Sequence, residues 1–555
     1  MTLNADIVIE NAAVLTMDPS APTAEAVAIS GNRIMAVGTR ADLASCKGSG
    51  TQVFDANGSS VIPGFIESHM HIYPGSAQID RLSLAGMHGL EDITKAVRER
   101  AATEPSDEIL VVEQAHYNIL GDHISLDRHV LDEILPDRPM CFYAGDHHTM
   151  WANTAALEAS GLIHGKKVSQ GCEVVMGSDG LANGELREFE AYQPIVMMTQ
   201  TRGREANGLS SGRYFGVPVS AEERAGDIAA LRRGFDYCAS LGITSFHNMD
   251  SDPHQMELLG EMDAASPLTV RAFMPFRMLP GYPLSDYEMA EDWRRRYDTP
   301  RLKMRFVKMF IDGVIEATTA FMLDDYSNTP GIKGEPLFDR TDFIEQIVEA
   351  DRLGFQVAVH AIGDAGVRWT LDAYEEARRR NGQRDSRHRI EHIETLDPAD
   401  LPRFAELGVI ASVQPTHAPG GYYPMEPIAT MLGEQRLRTA YATETLRQYG
   451  ARIAFASDWP VAPLDPLLGI QTAMTRKPLY TGAPDQRSSL MNALAGYTTD
   501  AAYTEFAEHE RGQLRPGMLA DITMLSGNIE NTAPEEITGL KVGLTICDGR
   551  VTYQA

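Results

Sequence analysis

The fold class this sequence predicts is α/β: a (β/α)8 TIM-like barrel, with a small β-sandwich domain built from both chain ends and a large insertion after the first barrel strand. Three observations predict it. Eight short β-prone runs lie between residues 61 and 458, and from the second onward most are separated by stretches of helical composition. Strand and helix alternating that often build a parallel barrel. The two ends of the chain each read as short strands joined by turns. Finally, imidazole, carboxylate and amine side chains recur at the ends of the runs, where a barrel keeps its reacting groups.

Residues 1–60 begin with Asp6-Ile7-Val8-Ile9-Glu10 and Ala26-Val27-Ala28-Ile29, then turn at Gly31-Asn32-Arg33 into Ile34-Met35-Ala36-Val37. Residues 505–555 supply the matching half through Ile522 to Leu525, Val542 to Ile546 and Val551 to Tyr553. Each half alone would expose an apolar face, so the two are expected to pack as one domain. The barrel is assigned to 61–504, with strands at 61–66, 243–248, 270–275, 304–309, 355–360, 388–393, 409–414 and 453–458. The gap from 72 to 240 is too long for one crossover. It reads as an insertion over the barrel mouth, with strands near 109–114 and 140–144 and a helix near 220–240.

Composition excludes several classes. The formal charge of −28, with 77 acidic residues scattered against 49 basic ones, argues against nucleic acid or an anionic membrane as partner. No apolar run reaches the ~18 residues of a membrane span. The opening lacks the basic start, apolar core and cleavage site of a signal peptide. Five widely spaced cysteines form neither a disulfide framework nor a cysteine metal motif, and a cytoplasmic protein is expected.

The chemistry gathers at strand ends. His69 and His71, spaced i, i+2, point to the same side of extended backbone and can converge on one ion. Lys308 sits inside the apolar run Phe306 to Phe310. The fifth run ends at His360, the sixth holds Arg389-Ile390-Glu391-His392, and the eighth ends Ser457-Asp458. Each has a plain alternative: Lys308 as a snorkelling lysine, His360 and His392 as satisfied core imidazoles, Asp458 as a helix N-cap. Six such side chains at one barrel mouth favour a constellation.

The pattern resembles the amidohydrolase superfamily, and within it amidohydrolase family 3, the YtcJ-like enzymes that include N-substituted formamide deformylase. The resemblance spans nearly the whole chain. It rests on Pro63-Gly64-Phe65-Ile66-Glu67-Ser68-His69-Met70-His71, Lys308-Met309-Phe310-Ile311-Asp312-Gly313, His360-Ala361-Ile362-Gly363-Asp364, Arg389-Ile390-Glu391-His392, Ser457-Asp458-Trp459-Pro460 and Gly512 to Asp521. In the insertion it rests on Asp146 to Asn153 and Gly184 to Glu188. Glu316-Ala317-Thr318 departs from the small residue and arginine of many relatives, which makes transfer of a relative's substrate unsafe.

By this resemblance His69 and His71 bind one divalent metal with Asp458, while His360 and His392 bind a second. Lys308 bridges them after carboxylation, and a single-metal form with unmodified lysine stays open. Zinc is the expected ion, one or two per chain. A buried lysine suits that role because its depressed pKa leaves a neutral amine to take up carbon dioxide. The expected reaction is hydrolysis of an amide or formamide C–N bond by metal-activated water, with Asp458 as general base and then acid. A deaminase, a cyclic-amide or ester hydrolase and a non-catalytic metal-binding barrel are the alternatives. His148, Trp151 and Arg187 are candidates for orienting the substrate, His148 by assisting the oxyanion, and Trp151 can equally pack under the lid. Glu316 and His247 are further candidates at the mouth, His247 alternatively supporting a ligand from behind. Tyr422-Tyr423-Pro424 reads as an aromatic loop able to line a pocket. A small-molecule substrate and a homodimer are expected.

Overall fold

The computed structural model describes residues 4–555, except 104, 106–107, 122–123, 146, 170–171, 207–215 and 217. Its centre is an eight-stranded parallel sheet whose strands follow one another in chain order. These are β1 Phe65–Met70, β2 Ile243–Asn248, β3 Arg271–Arg277, β4 Leu302–Phe310, β5 Gln356–Ala361, β6 Arg389–His392, β7 Ile410–Val413 and β8 Arg452–Phe455. Nearly all their side chains are buried, as expected of strands covered on both faces. The first and last strands meet just beyond their ends. Met70 and Trp459 form a parallel bridge. The amide of His71 donates to Trp459 O (2.7 Å), and that of Asp458 to His69 O (2.9 Å). Closure of the barrel therefore sets Asp458 beside both histidines. Gly75 allows this approach, since a Cβ there would stand 2.3 Å from the Trp459 ring.

The predicted first strand, 61–66, divides at Gly64. Ser60–Pro63 pairs antiparallel with Ile522–Leu525 and parallel with Ala13–Leu15, inside the terminal domain, whereas Phe65–Met70 pairs with β2. Both halves are equally apolar, so composition does not mark the change of partner. Gly64 does, because a Cβ there would meet the Thr244 side chain at 2.3 Å. Of the two terminal sheets, one is built from N-terminal strands alone and the other from strands of both chain ends, and one core joins Ile7, Ile9, Val27 and Ile29 to Leu514, Ile522, Leu544 and Ile546.

The insertion carries a six-stranded sheet between Leu82 and Arg187. Its strands alternate between two small cores. Leu110, Val112, Phe142 and Trp151 face the helices Leu90–Ala101 and Arg128–Ile134, while Ile109, Val111, Cys141 and Met150 face Thr154–Ala159 and Phe189–Val196. The helix Ala221–Ser240, predicted within the insertion, buries Leu231, Phe235 and Cys238 in the barrel core. Its start is fixed by a capping box between Ser220 and Glu223.

The terminal domain is joined to the barrel through buried charge. Arg271 of β3 reaches Asp521 at 2.5 Å and Asp548 at 3.2 Å, and Arg301 reaches Asp548 at 2.9 Å. Removing one member of a buried ionic cluster strands the others without compensation. Arg271→Ala is therefore expected to cost about 3–5 kcal/mol, read as a lowered denaturation midpoint, while Arg33→Ala at the exposed surface costs less than about 1 kcal/mol.

Candidate metal centre and active-site cavity

Strand β1 alternates its side chains, so Glu67 and His69 share a side and His71 follows just past the strand end. His69 Nδ1 donates to Glu391 Oε2 (2.7 Å) and His71 Nδ1 to Asp250 Oδ1 (2.8 Å). With one nitrogen spent on a carboxylate, each ring presents Nε2 to the other side. The two Nε2 atoms lie 3.2 and 3.4 Å from Asp458 Oδ1. That oxygen is buried and makes no aligned hydrogen bond among the described residues. Ligand atoms bonded at about 2.0–2.1 Å around a tetrahedral ion stand about 3.3–3.4 Å apart. The three residues thus fit a shared divalent cation better than they fit one another.

A second group comprises His392, His417 and Asp458, whose ligand atoms also lie within 4.8 Å of one another. His392 Nδ1 is 3.0 Å from Gln414 Oε1 and 3.8 Å from Asp458 Oδ2. His417 Nδ1 faces Glu394 (3.3 Å), which also accepts from the Tyr441 hydroxyl (2.9 Å), and its buried Nε2, 3.9 Å from Asp458 Oδ2, has no hydrogen-bond partner among the described residues. His360 stands beside His392, ring centroids 4.5 Å apart, and its Nε2 donates to Gly313 O at 3.1 Å, which leaves Nδ1 as the lone-pair atom. Lys308 Nζ lies fully buried with no hydrogen-bond partner among the described residues, 4.6 Å from the Phe310 ring centre.

Electrostatics sort these groups. Burial holds His360 and His392 well below the usual imidazole range, so both rings are neutral. Burial works against a charge on His71 too, but Asp250 and Asp458 outweigh it and raise the ring to about 9. Burial alone would raise Asp458; His69, His71 and His392 reverse that and hold it well below the usual carboxylate range. Lys308 is pushed down to about 8 by burial, against the pull of Glu391 and Asp458.

His69, His71, His360, His392, His417 and Asp458, but not Lys308, line one cavity of about 80 Å³, together with His147, His148, Glu316, Glu394, Tyr423 and Tyr441. That is room for several waters, each needing about 10–15 Å³. Of the remaining predicted site residues, His148 and Glu316 are on its wall, and His148 Nδ1 pairs with Glu188 at 2.9 Å. Asp146 of the same motif lies outside the described residues. Trp151 packs edge-on to Tyr117 within the insertion's own core. Arg187 is on the insertion surface, paired with Glu173 and Glu185 at 2.7 Å. His247 is buried beneath the centre: it accepts from Arg389 at 2.5 Å and pairs with Glu505 at 3.2 Å, and Arg389 pairs in turn with Glu391 behind His69.

Sequence reasoning missed Asp250, His417, Glu394 and His147. Asp250, Glu394 and His417 follow strands β2, β6 and β7 by two, two and four residues, so the strand-end rule extended past the strand would have found all three. His147 carries no spacing signal.

A barrel with imidazoles and a carboxylate converging at its C-terminal face defines a metal-dependent hydrolase. Residues 52–553 match the model of the amidohydrolase family, and the chain belongs to that family. It is 30% identical over 99% of its length to Protein LONG AFTER FAR-RED 3 of Arabidopsis thaliana, covering 92% of that protein. It is 25% identical over 100% of its length to N-substituted formamide deformylase of Arthrobacter pascens, covering 99% of it. Its fold is shared by a metal-dependent hydrolase of Pyrococcus horikoshii OT3, with a TM-score of 0.70 at 22% identity over 95% of this chain and 98% of that one.

The raised His71 sets a pH dependence for metal uptake. Below about pH 9 the ring carries a proton that an incoming ion must displace. Apparent zinc affinity is therefore expected to fall about tenfold for each unit from pH 8 to pH 6, with proton release visible by calorimetry in buffers of different ionisation enthalpy. Affinity independent of pH across that range would contradict this assignment. Asp250→Asn, which loosens the His71 ring, is expected to cost about 10–100-fold in affinity.

Proposed function

We propose that this enzyme hydrolyses the C–N bond of a small formamide- or amide-type molecule, with zinc as its ion. The observation that carries the reading is Asp458, whose Oδ1 is shared by His69 Nε2 and His71 Nε2 at 3.2 and 3.4 Å while Oδ2 turns toward His392 and His417. A divalent ion bound there supplies Lewis acidity and lowers the pKa of a water from about 15.7 toward about 7. Asp458, ionised at neutral pH, accepts the proton of the attacking water as the new C–O bond forms. It returns that proton to the nitrogen as the C–N bond breaks, releasing an acid and an amine. His148, its ring turned by Glu188, stands on the wall from which a donor reaches the carbonyl oxygen. The relationship to a formamide deformylase supports the choice of bond.

We propose further that Lys308 is carboxylated and that the centre holds two ions. With its pKa near 8, about a tenth of the amine is neutral at pH 7. That form adds carbon dioxide, making an N–C bond and losing a proton, and the resulting anion supplies the oxygen ligands an ammonium lacks. The net negative charge favours a small-molecule substrate over nucleic acid, and five free cysteines fit a reducing cytoplasm.

Zinc-loaded enzyme assayed against simple formamides and amides is expected to release amine. Asp458→Asn should lose at least about 10²-fold in turnover with an unchanged circular dichroism spectrum; full activity in that variant would remove Asp458 as the base. Lys308→Met should lower zinc from about two ions per chain to about one by elemental analysis, and an unchanged count would exclude the bridge.

A further inference from the structure

The seam at which the barrel closes has little backbone pairing. Ladders join each strand to the next from β1 to β8, but β8 and β1 themselves share only the isolated Met70–Trp459 bridge among the described residues. At this seam one side-chain oxygen stands in for a carbonyl. Glu67 Oε1 accepts from the amide of His69 on β1 at 3.2 Å and from that of Ser457, just past β8, at 2.8 Å. Glu67 is fully buried, two residues before His69 and on the same side of the strand. A carboxyl oxygen carries two lone pairs, so a single atom can hold an amide from each side of the seam. Its second oxygen makes no hydrogen bond among the described residues, and the two amides are what the carboxyl holds.

Both amides belong to the segments that place the ion site. His69 is one of the three groups set around the ion, and Ser457 immediately precedes Asp458. Asp458 has φ 62°, in the left-handed region that a residue with a β-carbon enters at a cost. Such a conformation persists where the surroundings over-determine it. Here the Ser457 amide is held by Glu67, the Asp458 amide by His69 O at 2.9 Å, and Asp458 O by the Val461 amide at 2.8 Å. The Ser457 hydroxyl oxygen also accepts from the Trp459 amide at 3.1 Å. Without the Glu67 oxygen, the turn that carries Asp458 is anchored to β1 from one side only.

Resting on the metal-site reading, we propose that Glu67 is a positioning residue: by holding the His69 and Ser457 amides to one oxygen, it sets the spacing of His69 and Asp458 at which the ion is bound. Glu67 is not on the cavity wall and acts through those two amides. Its part is reach rather than charge, so a neutral side chain with an oxygen in the same place serves equally.

The test measures zinc affinity by competition with a chromophoric chelator, together with the visible spectrum of the cobalt-loaded protein, which reports ligand geometry. Glu67→Gln keeps an oxygen within reach of both amides and is expected to bind zinc within about threefold of wild type with an unchanged cobalt spectrum. Glu67→Leu, of similar size but with no acceptor, is expected to bind zinc about 10–100-fold more weakly and to alter the spectrum. Ile66→Ala is the control for lost packing, since its side chain lies on the other face of β1 against Ala501 and Ala502. It should lower the denaturation midpoint and leave zinc affinity within about twofold. If Glu67→Leu does not fold, the crystal structure of zinc-loaded wild-type protein decides, with Glu67 Oε1 expected within about 3.2 Å of both amides. Wild-type affinity in Glu67→Leu, an equal loss in Glu67→Gln or in Ile66→Ala, or a carboxyl turned from either amide in that crystal would overturn the proposal. Wild-type protein that takes up no zinc would refute the metal-site reading itself, and the proposal with it.

Discussion

The constraint on which this structure depends is the closure of its barrel. Two backbone hydrogen bonds, His71 N to Trp459 O and Asp458 N to His69 O, join the first and last parallel strands at their C-terminal ends. They bring the carboxylate of Asp458 against two imidazoles nearly 390 residues away in the chain. No local propensity could hold that arrangement. The cooperative strand ladder does, and it explains why the groups converge at a strand end rather than on a mobile loop.

Behind the four imidazoles lies a ring of oxygen acceptors. Glu391, Asp250, Gln414 and Gly313 O each take one nitrogen of His69, His71, His392 and His360. For His69 and His71 this turns Nε2 toward Asp458, so those three groups are oriented by the protein itself. Glu391 is supported in turn by Arg389, His247 and Glu505, a buried chain that ends beside Arg511. This places His247 among the supports of His69 and explains why a histidine inside an apolar strand resembles a site residue in the sequence.

Much of this was legible in the sequence, and the reason is periodicity. Alternating β-prone and helical runs gave the barrel, and the rule that chemistry sits at strand ends singled out six side chains, of which His69, His71, His360, His392 and Asp458 line one cavity and Lys308 is buried outside its wall. Where a residue's role depends on which partner its segment packs against, the sequence carried little. The run 61–66 changes sheets at Gly64 without any change in hydrophobicity. Trp151 and Met150 are neighbours in one strand and belong to different cores. Arg187 lies on the insertion surface because Glu173 and Glu185 are brought beside it there. His417 falls one short turn past its strand, beyond the window in which ligands were sought.

The central claim is that His69, His71 and Asp458 share one ion. Anomalous diffraction from zinc-loaded crystals, collected on both sides of the zinc edge, tests it most directly. The account predicts a peak about 2.0–2.2 Å from His69 Nε2, His71 Nε2 and an Asp458 carboxylate oxygen. A zinc peak elsewhere in the molecule, or clear density for those three side chains with no anomalous signal between them, would contradict it.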